Sequence, residues 1–85
     1  MYKIEWLPIA YKDLKKLESK EAVKILNSLN DIQGDPYAFG DPLEGTFKGK
    51  RKMRVGDYRI IYSINDKEHK IFILFIRHRR EAYRA

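Results

Sequence analysis

The run Ile71-Phe72-Ile73-Leu74-Phe75-Ile76 is apolar on both faces of a strand, and it constrains the fold more than any other segment. Such a strand has to be covered on both sides, so it belongs inside a sheet, with a place beside it for another strand. Its partners precede it. Residues 47–55, 58–64 and 69–76 read as three strands separated by a Gly56-Asp57 turn and an Asn65-Asp66-Lys67-Glu68 turn, an antiparallel meander. Tyr2, Ile4 and Trp6 alternate with charged residues, giving a half-buried first strand over residues 2–6.

Between these strands the apolar period changes from two to about 3.6. Pro8 suits the first turn of a helix, and Ala10, Leu14 and Leu17 form its apolar stripe opposite Lys12, Asp13, Lys15 and Lys16. A second helix follows almost at once, with Ser19 as N-cap, Glu21 in the first turn and Ala22, Ile25, Leu26, Leu29 and Ile32 facing inward. Gly34 and Asp35-Pro36 end it. The short connection makes the two helices an antiparallel hairpin lying on one face of the sheet. Residues 35–46, with Asp-Pro twice, read as a surface loop, and Arg79 to Arg84 can form only a short terminal helix. The expectation is an α+β fold of order β-α-α-β-β-β-α, a single domain spanning residues 1–85.

No run approaches the roughly 18 apolar residues of a membrane span. The alternating N-terminus has the wrong texture for a signal peptide, and without cysteine a cytoplasmic location is expected. His69 and His78 have no cysteine or suitably spaced histidine beside them, so neither a metal nor another cofactor is expected. His78 closes a strand, where a structural role is the default. Trp6, Tyr58 and Tyr62 read as packing residues rather than stacking platforms. A formal net charge of +6 favours polyanionic partners, either nucleic acid or an acidic protein, although it also serves solubility.

Placement of the cations sharpens this. Alternation along 47–55 projects Lys48, Lys50, Lys52 and Arg54 from one face and Phe47, Met53 and Val55 from the other, while Arg51 points with the apolar set and must snorkel past it. Arg59 on the next strand joins the basic row if the register allows. Edge protection against aggregation would explain two or three lysines. Four like charges on alternate residues repel one another and call for an anionic ligand.

Two segments, Lys52-Met53-Arg54-Val55-Gly56-Asp57-Tyr58-Arg59-Ile60-Ile61-Tyr62 and Arg77-His78-Arg79-Arg80-Glu81-Ala82-Tyr83-Arg84, together with the order of elements, resemble the RelE/ParE toxin superfamily over essentially the whole chain. For RelE-like members the resemblance implies a ribosome-dependent endoribonuclease that cleaves messenger RNA in the ribosomal A site. It also implies neutralisation by an acidic, RelB-like antitoxin in a hetero-oligomer. The positions it matches are Lys50, Lys52, Arg54, Arg59, Arg79 and Tyr83; the Arg-to-Tyr spacing is shorter here than in the best-known RelE-type member. ParE-like relatives, which poison DNA gyrase, share the fold and the arginine-rich ending, and a non-catalytic nucleic-acid-binding module is a third reading.

RNA can be cut when its own 2′-OH attacks the adjacent phosphate, so the protein need only align groups, accept a proton and stabilise charge. Crowding by like charges lowers a lysine's pKa, which makes Lys50 or Lys52 the expected proton acceptor. Arg59 is assigned to the phosphate oxygens and Arg79 to the leaving oxygen. Tyr83 stacks on a base, orients the hydroxyl or anchors the terminal helix. Lys48 and Arg54 are left to general RNA attraction.

Overall fold

The computed structural model describes residues 1–81. In it the apolar strand, β5 (Lys70–His78), lies between β1 (Lys3–Trp6) and β4 (Tyr58–Asn65). Helices α1 (Pro8–Lys15) and α2 (Ser19–Gly34) follow β1, and a short β2 (Asp41–Pro42) and then β3 (Arg51–Val55) complete a sheet of order β1-β5-β4-β3-β2. The meander β3-β4-β5 is antiparallel as expected, and β1 joins β5 in parallel, with Lys3 opposite Lys70 and Trp6 opposite Ile73. Among the described residues no helix is long and apolar enough to cross a membrane.

Both helices lie on one face of this sheet. Ala10 of α1 and Ile25, Leu29 and Ile32 of α2 pack on Met53, Ile60, Tyr62, Ile71, Ile73 and Ile76, each fully buried isoleucine contributing about 1.5–3 kcal/mol. Residues 25, 29 and 32 fall on one line of the helix. Leu26, expected in that stripe, is turned about 100° away and is 45% exposed. Ser19 is the first helical residue rather than the cap, a position taken by Glu18 without a side-chain hydrogen bond.

The expected strand 47–55 needs correction. Only Arg51–Val55 is extended; Gly45–Phe47 forms a 3-10 turn, and the Lys48 and Lys50 amides donate back to the Gly45 and Phe47 carbonyls. Gly45 (φ 69°) and Gly49 (φ 91°) adopt the left-handed conformation that permits these two tight turns. Lys48 therefore lies in the turns ahead of β3, and Lys50 stands directly before the strand, its carbonyl accepting the Leu43 amide.

Two polar clusters tie the 35–40 loop to the sheet. The buried Tyr62 hydroxyl lies 3.0 Å from the Pro36 carbonyl and 2.9 Å from that of Phe39, sharing one proton between two acceptors. Arg51 does not snorkel past the core. Its Nη2 donates to the carbonyls of Tyr37, Phe39 and Gly40, and its Cζ lies 5.7 Å from the Tyr37 ring centre. At the opposite end of the loop Asp66, in the β4–β5 turn, accepts hydrogen bonds from the hydroxyls of Tyr2 and Tyr37. Tyr2 also stacks on His69 at 3.9 Å.

A bulge in the β4–β5 ladder decides the rest. Tyr62 faces Ile73 but Ile61 faces Phe75, so Leu74 is an extra residue on β5 and the alternation restarts after it. Ile71 and Ile73 point into the core, then Ile76 does so as well, while Phe75 and Arg77 turn to the open face.

Candidate nucleic-acid interface

The face of the sheet away from the helices is built in rows, because residues paired across antiparallel strands share a side. Arg54 on β3 stands opposite Arg59 on β4, and Arg59 opposite Arg77 on β5. The next row holds Lys52, Ile61 and Phe75. Ile61 is fully buried outside the main core, beside Phe75, whose ring meets Phe47 edge-on at 5.7 Å. A small apolar floor thus lies within a cationic face.

Among the described residues the side chains of Lys48, Lys50, Lys52, Arg54 and Arg59 make no hydrogen bond or ion pair. Directly opposed like charges weaken a sheet, so Arg54 facing Arg59 without a carboxylate is a cost in the free chain that an anionic ligand removes. Lys52, Arg54 and Arg59 are brought together on this face. Lys48 and Lys50 lie on the turn that leads into β3, with Lys50 half-buried and its carbonyl accepting the Leu43 amide at 2.9 Å.

Arg79 sits just beyond β5. Its backbone amide donates to the Asp57 carbonyl at 2.7 Å, and its Nε is 3.6 Å from Asp57 Oδ1, an exposed pair worth little by itself. The surrounding turn is held by His78, whose amide donates to Glu81 Oε1 and whose Nδ1 accepts the Arg80 amide. The His78 ring packs edge-on against Tyr58 at 5.2 Å, on the helix side of the sheet, which agrees with a structural role. Tyr83 lies outside the described residues, as does the second half of the expected terminal helix, whose first half, residues 79–81, is a turn. Within the described residues no three His, Cys, Asp or Glu side chains are grouped as a metal site.

Arg77 was not singled out from the sequence. Strict alternation from Ile71 and Ile73 would aim it at the core, and only the bulge at Leu74 turns it outward. Its Nη1 forms a 2.9 Å ion pair with Asp13 of α1.

A helical layer thus covers one side of the sheet and, among the described residues, cations without carboxylate partners stand on the other, and known proteins place the chain in a family. Residues 4–83 match the family described as ParE toxin of type II toxin–antitoxin system, parDE, and the chain belongs to that family. It is 31% identical over 84 residues to Toxin RelE of Mycobacterium tuberculosis, an alignment covering 98% of this chain and 87% of that protein. Among solved structures it is similar to the M. tuberculosis toxin–antitoxin complex RelBE2, with a TM-score of 0.85 at 28% identity over 91% of this chain and 96% of that one. The archaeal RelE–RelB complex from Pyrococcus horikoshii gives 0.80 at 31%, covering 95% and 98%. The chain is a RelE-type toxin in fold and relationship.

Proposed function

We propose that this toxin is a ribosome-dependent endoribonuclease that cleaves messenger RNA in the A site and so stops translation. The observation that carries the reading is the set of unpartnered cations, Lys52, Arg54 and Arg59, on the open face. In the proposed reaction the RNA 2′-oxygen attacks the adjacent phosphorus, the 5′-oxygen leaves, and a cyclic phosphate and a free 5′-hydroxyl result. Lys52, or Lys50 just before β3, takes the 2′-OH proton. Arg59 holds the phosphate oxygens as charge builds on them, and Arg79 stabilises the charge on the leaving oxygen, which takes its proton from water. Tyr83 stacks on a base or orients the 2′-OH, a role carried by the family resemblance alone. With no histidine or carboxylate base in this set, alignment by the ribosome supplies much of the rate.

The cognate antitoxin is an acidic, RelB-like chain that covers these cations in a hetero-oligomer; the similar M. tuberculosis RelBE2 and P. horikoshii RelE–RelB structures are themselves toxin–antitoxin complexes. Action on ribosomes places the chain in the cytoplasm.

One observation favours a second reading: the matching family model is that of the ParE toxin, and the resemblance to ParE-like relatives implies inhibition of DNA gyrase. Expression without antitoxin separates the two. Pulse labelling is expected to show protein synthesis failing first, with messages cut; loss of DNA synthesis or supercoiling with messages intact would replace this reading with gyrase inhibition.

A further inference from the structure

β1 ends at Trp6, opposite Ile73, and leaves the outer edge of β5 unpaired from there to its end. Asp13 of α1 takes over this edge. Its Oδ2 accepts the Ile76 amide at 2.9 Å, satisfying a backbone donor that a longer β1 would have paired, and accepts Arg77 Nη1 at 2.9 Å. The same Nη1 lies 2.9 Å from the Ile76 carbonyl, and Arg77 Cζ lies 4.7 Å from the centre of the Phe75 ring. The guanidinium is thus fixed at one end by a carboxylate and along its length by an aromatic ring. Its Nε and Nη2 have no partner among the described residues.

A structural ion pair at a strand edge does not require this. Edge capping uses Asp13 alone, and a flexible lysine would satisfy its charge. The arrangement instead leaves free the Nε and Nη2 donors, the two-donor fork that matches a pair of phosphate oxygens, on the residue paired with Arg59 across the strands. Asp13 also offsets the repulsion that Arg77 would otherwise add to the Arg54–Arg59 row.

We propose that Arg77 is a further RNA-contacting residue, gripping a backbone phosphate one strand beyond that held by Arg59, and that Asp13 is the residue that positions it. The RNA then crosses the sheet along the row Arg54, Arg59, Arg77, transverse to the strands. This deepens the ribonuclease reading and rests on it.

The test is single-turnover cleavage of a short message on programmed ribosomes, paired with binding of the chain to single-stranded RNA over a salt series. Arg77→Ala is expected to cut at least about tenfold more slowly and to lower the salt slope of binding by about one contact. Arg77→Lys keeps the charge, so its RNA affinity is expected to hold while its cleavage stays slow. Asp13→Asn retains an oxygen for the Ile76 amide and raises the net charge, so electrostatics alone favours RNA binding; slower cleavage with undiminished affinity is the signature of lost positioning. Parental rates in Arg77→Ala and Asp13→Asn would overturn the proposal. If Arg77→Ala does not fold, Arg77→Lys decides, since it preserves the ion pair, and a parental rate there overturns the proposal equally. A parental chain that leaves the message intact overturns the ribonuclease reading itself, and this inference with it.

Discussion

Arg54 and Arg59 face each other directly across β3 and β4, with no carboxylate beside either among the described residues. The proposed function and stability are therefore opposed at this pair. Replacing Arg54 by Glu converts a repulsive cross-strand pair into an attractive one and is expected to stabilise the fold by about 0.2–1 kcal/mol. The same change removes one cation and adds an anion on the face proposed to bind RNA. Chemical denaturation with parallel RNA binding checks both halves; a higher denaturation midpoint together with weaker binding is expected.

Asp66 links the N-terminus, the 35–40 loop and the β4–β5 turn through Tyr2 and Tyr37. The two phenol hydrogen bonds hold its carboxyl below the ordinary range, and bonding to Asp66, with some desolvation, pushes Tyr2 up to about 12. A depressed carboxyl contributes stability above its unfolded pKa and loses it as pH falls through the lower folded value. A raised phenol contributes below about 10 and loses its share as pH rises towards 12. Stability is thus expected to decline in acid below about pH 4 and again above pH 10. Denaturant midpoints across pH should show both shoulders in the parent and a flattened one on the acid side in Asp66→Asn.

Gly40 has φ +72°, and a Cβ there would lie 2.6 Å from the Lys52 carbonyl oxygen and 2.9 Å from the Tyr62 hydroxyl. Both neighbours are fixed, one by β3 and the other by the buried hydrogen bonds to the loop. Gly40→Ala is expected to cost more than about 1 kcal/mol, through an unfavourable backbone conformation and displaced hydrogen bonds. A fall in Tm of several degrees is the readout, about 4–8 °C per kcal/mol for a domain of this size.

Antitoxin affinity is expected to fall steeply with salt if, as proposed, the cations of the open face form the contact. Titration calorimetry at several salt concentrations measures it. An affinity indifferent to salt would remove Lys52, Arg54 and Arg59 from the antitoxin surface.

Much of the fold was legible because each element carries its own period. Ile25, Leu29 and Ile32 announce a helix face, and Tyr58 to Ile64 a strand. The site was only partly legible, for two local reasons. Alternation over 47–55 is compatible with one long strand, yet Gly49 within it was the available signal for a break, and left-handed Gly45 and Gly49 turn the chain so that the strand begins only at Arg51. Arg77 was hidden by the bulge: an all-apolar run from Ile71 to Ile76 carries no alternation in which a one-residue slip can be seen. Arg51, paired with Tyr62 across the sheet, meets loop carbonyls that no strand pattern encodes.

The most direct test incubates the purified chain with ribosomes programmed with a defined message and maps the new 5′ ends, while ribosome affinity is measured separately for each variant. The parent is expected to cut within the A-site codon. Arg59→Ala and Arg79→Ala are expected to slow the cut by roughly 10² or more with ribosome affinity largely retained, since each removes charge stabilisation made in the transition state. Lys48→Ala, outside the strand row, is expected to change little. An intact message with the parent, or Arg59→Ala and Arg79→Ala cutting at the parental rate, would contradict the assignment of this face to RNA cleavage.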